Sequence, residues 1–385
     1  MRIVSVIILF GLINIYAAAR IIHRWPWAEQ HAAGAWTAAL LFFLLQLLAP
    51  FGDRLFMPRL RKNHFAALAS TVDWLSYMAF GIMSLLVVYG LMIDLVSILL
   101  QLFDSGFEPS IFDQYALYVI FAVTFTTILL GAANVWRGPE VKNVDIFLEN
   151  LPAVFDGFKI VQVSDLHVGA AIRRKYTQNV VNIVTAQKAD LIALTGDFVD
   201  GSVDDLIDDI RPLSSLRAPE GVFFITGNHE YYSGVYEWIN VFRNMGMRVL
   251  LNEHDVIKRG RDAFVLAGVT DYSAGRTIQS HASDPFKALR GAPAGLVNIL
   301  LAHQPVIYEQ AEKAGFNLQL SGHTHSGQYF PFTVLIRFFQ RFYNGLNRYK
   351  NLQIYVNRGT GYWGPPLRSG ARAEITLITL RRKSA

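Results

Sequence analysis

The sequence contains no cysteine. Disulfides and thiolate metal sites are therefore excluded, and any metal must be held by His, Asp, Asn or Glu side chains. The absence does not fix a compartment, because a reducing cytosol and a disulfide-free exported protein both allow it. Charge is scarce as well: 17% of the 385 residues are Asp, Glu, Lys or Arg, against 52% hydrophobic, and the formal net charge is +5. So small an excess gives no reason to expect nucleic acid as a partner. With a pI near 9.3 it suggests a preference for anionic surfaces such as phosphates or lipid headgroups. Internal repeats and low-complexity segments are also lacking, which leaves two units as the first expectation for a chain of this length.

Charge is missing altogether from four stretches, 3–19, 32–52, 74–93 and 114–136. About 20 such residues in a helix cross a bilayer core. The last three stretches qualify by length. The first is shorter and contains Asn14, and Ala17-Ala18-Ala19 gives it a second reading as a signal peptide. Only Arg2 precedes it and three more spans follow, which favours a retained helix. The expected organisation is a four-helix transmembrane region over 1–136, a linker over 137–156 carrying Gly138-Pro139 and Pro152, and a second domain over 157–385. No pair of opposite charges is visible inside the spans, so nothing suggests a transport path.

The loops suggest an orientation. Arg54, Arg59, Arg61 and Lys62 lie between the second and third spans, whereas the next loop has Asp104, Glu108 and Asp113 and no Lys or Arg. Arg137 and Lys142 follow the fourth span. The positive-inside rule then places both ends of the chain, and with them the second domain, in the cytoplasm. Arg20 and Arg24 fall on the wrong side of this assignment.

After residue 156 the texture changes. Short apolar runs at Phe158–Ser164, Asp190–Thr195, Val222–Thr226, Ala263–Gly268 and Leu296–Ala302 read as buried strands. Amphipathic stretches at 173–187, 203–216, 235–245 and 304–314 read as helices. This alternation predicts a layered α/β domain, with late strands at Leu352–Val356 and Glu374–Leu380 completing a second sheet.

Polar residues fall in a pattern on these elements. Asp165-Leu166-His167 follows the first strand, Gly196-Asp197 the second and Gly227-Asn228-His229-Glu230 the third. His303 follows a later strand, and Gly322-His323-Thr324-His325 follows Asn317–Leu320. Functional groups of open α/β sheets gather beyond the carboxyl ends of strands. Five segments remote in sequence would thus deliver carboxylates and imidazoles to one rim. These are ligands for Mn, Fe, Zn and similar ions, and one carboxylate can bridge two of them. Any one of these histidines alone would as readily be a satisfied core residue. The five segments in order, each after a strand, argue for a site.

The set Asp-x-His, Gly-Asp, Gly-Asn-His-Glu, a lone His and Gly-His-x-His resembles the calcineurin-like metallophosphoesterase family over about residues 157–380. The segment Gly359-Thr360-Gly361-Tyr362-Trp363-Gly364-Pro365-Pro366-Leu367-Arg368 is similar to a signature of its membrane-associated branch with N-terminal transmembrane helices, although Arg372-Ala373 stands where that branch often has prolines. The resemblance implies a four-layer sandwich, two mixed β-sheets flanked by helices, with the site at one sheet edge. It implies that Asp165, His167 and His325 hold one divalent metal, that Asn228, His303 and His323 hold a second, and that Asp197 bridges them. His229 would contact the phosphate and assist the leaving group rather than bind metal. Manganese is the first expectation for the pair of ions, with iron or zinc also suited. The implied activity is metal-dependent phosphoester hydrolysis, and some membrane-associated relatives are similar to enzymes that cleave the pyrophosphate of a UDP-diacylglucosamine lipid. A lipid-linked phosphodiester or pyrophosphate at the cytoplasmic face is therefore the expected substrate class. A tethered phosphodiesterase or phosphatase of soluble substrates is the runner-up. A metal-free scaffold of the same fold should have lost ligands, and none is missing. No substrate-binding residue and no oligomeric state can be read.

Four further features stand apart from that set. Residues 329–350 combine Phe330, Phe332, Phe338, Phe339 and Phe342 with Arg337, Arg341, Arg348 and Lys350. They form either a helix packing an aromatic stripe on the domain or a membrane-surface element beside the site. Asp271 either caps a turn or orients substrate or a ligand histidine. Asp200, Asp204, Asp205, Asp208 and Asp209 read as a solvated acidic helix face, and Arg173, Arg174 and Lys175 as a helix start or a membrane-facing patch.

Overall fold

The computed structural model describes residues 2–55, 66–104 and 106–383, which divide into two units. Arg59, Arg61 and Lys62, on which the orientation argument leans, lie outside the described residues, as does Ala385.

The first unit comprises residues 1–133 together with Gly364–Ser369. Its helices are α1 (Arg2–Arg24), the short α2 (Pro26–Gln30), α3 (Ala32–Leu55), α4 (Ala66–Phe103) and α5, which begins at Pro109 and runs to Arg137. Among the described residues, Ile7–Arg24, Leu68–Phe103 and Ile111–Arg137 are long and apolar enough to cross a membrane, while the apolar part of α3, Ala32–Leu48, is shorter. Polar contacts tie these helices together. Gln46 on α3 donates to the Asn14 side chain on α1 (2.8 Å), and the Ser76 hydroxyl on α4 donates to the Gln46 carbonyl (3.3 Å).

The expectation that the spans hold no charge pair is corrected. Asp94 of α4 pairs with Arg20 and Arg24 of α1, the latter at 2.6 Å, and accepts a hydrogen bond from Tyr16 (2.6 Å). Arg24 also reaches Asp113 of α5 at 2.9 Å. The sequence hid this cluster because Asp94 reads as the end of a span, whereas α4 continues unbroken to Phe103. Two guanidinium groups meet two carboxylates, so the pair of arginines that sat awkwardly with the loop charges is locally neutralised.

The second unit comprises 134–363 and 370–385. Its first sheet has the order β1-β12-β2-β3-β4-β5, built from β1 (Glu140–Leu148), β2 (Lys159–Val163), β3 (Leu191–Leu194), β4 (Val222–Phe224), β5 (Arg248–Val249) and β12 (Glu374–Arg382). The second has the order β10-β11-β9-β8-β7-β6, from β6 (Glu253–Arg259), β7 (Asp262–Gly268), β8 (Asn298–Leu301), β9 (Leu318–Ser321), β10 (Gly345–Tyr349) and β11 (Leu352–Val356). Between or after these strands lie α6 (Arg174–Ala186), α7 (Val203–Ile210), α8 (Asn228–Tyr232), α9 (Val235–Asn244), α10 (Pro285–Ala288), α11 (Tyr308–Ala314) and α12 (Phe332–Phe339).

Period-two alternation makes the layers. Leu191 and Ala193 of β3 point into a core shared with Phe264, Leu266, Ile299, Leu301, Leu318 and Leu320 of the other sheet. Ile192 and Leu194 point the opposite way, onto Val180, Val184, Leu206, Trp238 and Phe242 of the helices. A third cluster places Leu300, Ile354 and Val356 against Ile307 and Ala311. The architecture is the expected four-layer α/β sandwich of two mixed sheets flanked by helices.

Three expectations change. Residues 140–148, expected within a linker, form β1, and β12 completes the first sheet rather than the second. β12 pairs in parallel with β1 and antiparallel with β2. The partner of β1 lies more than two hundred positions away in sequence, so no local pattern announces the pairing. The expected helix over 203–216 also stops at Ile210, passing into a 3₁₀ turn over Arg211–Ser215 that Pro212 helps impose.

The inter-sheet core closes around Phe264, which is fully buried and packs edge-on to Phe155 (4.9 Å) and Phe158 (5.3 Å). Phe264→Ala is expected to destabilise the domain by about 3–5 kcal/mol. A urea midpoint unchanged from the parent chain would refute that role.

Candidate metal centre

The carboxyl ends of five strands supply the site. β2 leads to Asp165 and His167, β3 to Asp197, β4 to Asn228 and His229, β8 to His303, and β9 to His323 and His325. The parallel run β2-β3-β4 in one sheet and the parallel pair β8-β9 in the other bring these ends to a common rim.

The backbone there is unusual. Asp165, His167, Asp197, His323 and His325 all have left-handed φ, between 48° and 71°. Asp and His are among the few side chains that tolerate this region, at roughly 1–3 kcal/mol each. The turns are also tight. A Cβ added to Gly227 would strike the Asp197 carboxylate, and one added to Gly322 would strike Ser164 and Asp165. Glycine is required at both positions because the backbone passes directly against an acidic side chain.

Three sets of ligand atoms converge, each within 4.8 Å: Asp165 with His167 and His325, Asp197 with His303 and His323, and His167 with Asp197 and His229. All the sequence-expected residues are thus brought together, with Asn228 beside them at the amino end of α8. The convergent ring nitrogens and oxygens suit a cation. Nε2 of His167 and Nε2 of His325 face each other at 3.0 Å. Nδ1 of His303 is held at 2.8 Å by the Thr195 carbonyl, which directs Nε2 toward Asp197 Oδ2 at 3.0 Å. The buried Asn228 Oδ1 has no hydrogen-bond partner, the condition expected of an atom that a divalent ion would satisfy.

Two residues given no role from sequence complete the arrangement. Asp200 accepts from His229 Nδ1 (2.6 Å) and contacts His167 Nδ1 (3.0 Å), so one carboxylate orients two imidazoles. It lies in the loop before α7, not on the solvated helix face where it was expected. Asp209 is likewise engaged, accepting from the Arg174 backbone N–H (2.8 Å) and pairing with Arg173 (3.0 Å) at the start of α6. Glu230 is fully buried and accepts from the backbone N–H groups of Gly227 (2.6 Å), Phe198 (2.7 Å) and Asp197 (3.0 Å), clamping the Asp197 turn. A glutamate three residues after Gly227 is a capping-box spacing, the one signal that could have revealed it. Asp271 caps a turn, accepting from the Ser273 backbone N–H (2.8 Å), and also receives the Gln304 amide (3.0 Å).

Electrostatics follow from burial against proximity. Burial would favour neutral His229, but the hydrogen bond to Asp200 and the charges of Asp197, Asp200 and Glu230 prevail and raise it to about 9. Burial, reinforced by the Asp197 charge, pushes Glu230 up to about 7 against its three backbone donors. Desolvation works against ionised Asp200, yet His167 and His229 hold it well below the usual carboxylate range. Burial likewise opposes charge on Asp197 and His303, but their mutual attraction depresses the one and raises the other. His323 is lowered by burial and by its neighbour His303.

Known proteins resemble this chain in sequence and, more distantly, in structure. Residues 158–327 match the family model described as calcineurin-like phosphoesterase. An uncharacterized metallophosphoesterase of Helicobacter pylori is 33% identical over 355 residues, 90% of this chain and 90% of that protein. A transmembrane protein with metallophosphoesterase domain from Danio rerio is 36% identical over 280 residues, and the match spans 70% of this chain and 63% of the relative's length. The solved structure of a dimetal phosphatase from Danio rerio is 13% identical, with a TM-score of 0.35, covering 58% of this chain and 99% of that one.

Two outcomes are expected of the site itself. Removing the carboxylate that orients two imidazoles, in Asp200→Asn, should lower metal affinity or activity about 10–100-fold; unchanged values for both in titration and rate measurements would deny it that role. In the metal-free protein His303 keeps its proton above the ordinary imidazole pKa of 6.5, and an entering metal must displace that proton. The affinity for Mn²⁺ should therefore keep rising with pH above that value, and calorimetry showing a flat profile between about pH 6 and pH 8 would contradict it.

Proposed function

The chain belongs to the calcineurin-like phosphoesterase family, and from that premise we propose that it is a membrane-anchored, metal-dependent phosphoester hydrolase with a binuclear centre. The observation that carries the proposal is the sharing of Asp197 by two sets of ligand atoms, with the buried Asn228 Oδ1 left without a hydrogen-bond partner. Asp165, His167 and His325 would hold one ion and Asn228, His303 and His323 the other, with Asp197 between. Mn²⁺ fits this oxygen and nitrogen donor set, as do iron and zinc. Two such ions supply an acidified water and offset charge on the phosphoryl oxygens.

The chain's own groups do the remaining work. Glu230 fixes the Asp197 turn through three backbone hydrogen bonds and so holds the shared carboxylate in place. Asp200 orients His167 and His229 by their Nδ1 atoms, leaving both Nε2 atoms directed at the site. His229, when protonated, is placed to bind a phosphoryl oxygen and to give a proton to the departing oxygen. Tyr232 and Trp363 stand edge-on to the His229 ring at 5.4 and 6.1 Å and border the approach to it.

A lipid-linked phosphodiester or pyrophosphate, of the UDP-diacylglucosamine kind, is the substrate class we favour, hydrolysed at the cytoplasmic face. Helices long and apolar enough to span a bilayer support this, because they confine the domain to the surface where such a substrate is concentrated. Asp197→Asn should abolish Mn²⁺-dependent hydrolysis of an activated soluble phosphodiester, and near-full activity would remove the assignment. His229→Ala should lose rate by about 10²–10⁴-fold with metal content kept. A panel of lipid-linked and soluble phosphoesters then decides the substrate: preference for soluble ones would leave a tethered phosphatase.

A further inference from the structure

The segment after the His323–His325 turn does not pack as an ordinary surface helix. No residue of α12 is buried, and Phe338 and Phe339 at its end are 80% and 79% exposed. Phe332, Val334 and Leu335 are exposed as well. The aromatic stripe expected from sequence therefore splits. Phe342 turns into the domain, 9% exposed and packed edge-on against Tyr308 at 5.0 Å, while the phenylalanines of α12 face outward.

Basic side chains surround this apolar end. Arg337 and Arg341 are exposed beside it, the latter stacked over Tyr349 at 5.2 Å, and Arg348 is exposed on β10. No Asp or Glu occurs anywhere from Lys313 to Ala373, a stretch that carries α12, β10 and β11. An acidic group reaches this stretch from the neighbouring α11, where Glu312 pairs with Lys350 at 3.1 Å. A segment with cations, exposed aromatics and no acidic residue of its own complements an anionic bilayer interface, where rings enter the headgroup boundary and guanidinium groups meet phosphates. The bilayer is also the one partner continually near, since the same chain carries helices long enough to span it.

The element is tied to the metal centre. A Cβ on Gly327 would collide with the Phe332 carbonyl, so the turn bearing His325 lies directly against the start of α12. Beyond α12, the Tyr343 carbonyl accepts from the Thr324 hydroxyl (2.6 Å) and the Asn344 amide donates to the Ser326 hydroxyl (3.0 Å). Both flanks of α12 thus brace the ligand turn.

We propose that α12 is an interfacial anchor: Phe338 and Phe339 enter an anionic leaflet, Arg337 and Arg341 bind its phosphates, and the His323–His325 turn is held at the bilayer surface. This deepens the reading of the enzyme as one that acts on bilayer-resident phosphoesters, and the two can fail separately.

The absence of native cysteine makes the test direct. A fluorophore that responds to polarity is placed on Phe338→Cys in the full chain, reconstituted in nanodiscs of phosphatidylcholine and phosphatidylglycerol. The same label on Arg261→Cys, in the exposed β6–β7 turn, serves as the reference. The label at 338 should be quenched by spin-labelled lipids and the label at 261 should not. Phe338→Ser with Phe339→Ser should raise KM roughly tenfold for a phospholipid phosphodiester in the disc and leave turnover of a soluble phosphodiester unchanged. Quenching at 338 no stronger than at 261 overturns the anchor, whether the label stays in water or is covered by protein. Quenching at 338 with no hydrolysis of either substrate supports the anchor and removes the hydrolase reading.

Discussion

The buried carboxylate of Asp197 is the constraint around which the domain is built. It sits at the rim between the two sheets, accepts from the backbone N–H of His229 at 2.8 Å, and lies 3.0 Å from Nε2 of His303. A buried carboxylate is stable only when paired with positive charge. Without metal, a protonated imidazole supplies that charge. With metal, the same oxygens would face a cation drawn toward them from either side. The neighbours serve to hold this group still. Gly227 allows the backbone against it, and Glu230 pins its turn, giving up ordinary acidity to do so.

A second, separate economy of charge operates in the helical unit. Asp94 and Asp113 meet Arg20 and Arg24, and Tyr16 completes the shell of Asp94. Ionised groups within apolar helices are tolerated when they neutralise one another. The cluster also joins the carboxyl end of α1 to the amino end of α5. Counted as loop charges, the two arginines oppose the orientation drawn from the positive-inside rule; counted as members of a neutral cluster, they carry no orientation at all.

Most of the candidate metal-site residues that the structure brings together are legible because strand-end chemistry is local. A short apolar run followed by Asp-x-His or Gly-Asp announces both the strand and what it carries. Residues whose meaning depends on distant partners were not legible. Asp200 looked like one more acid before an acidic helix, since nothing nearby shows that His167 and His229 fold against it. β1 looked like a linker because its partner, β12, is at the other end of the domain. Asp94 looked like a terminus because charge marks span ends by rule, and only the unbroken course of α4 shows otherwise. The aromatic stripe of residues 329–350 was visible, but whether it faced core or surroundings depended on where α12 ends and Phe342 turns inward.

The left-handed backbone at Asp165, His167, Asp197, His323 and His325 limits how this centre can drift. Exchange among Asp, Asn and His keeps the main chain as it is, because these side chains accept that conformation. Such exchanges also alter ligand charge and softness, and therefore which metal is preferred. Replacement by Val, Ile or Thr would force the turn to move, since branching at Cβ is poorly accommodated there. The scaffold thus leaves open a narrow route by which metal preference can change one residue at a time, while closing the routes that would dismantle the rim.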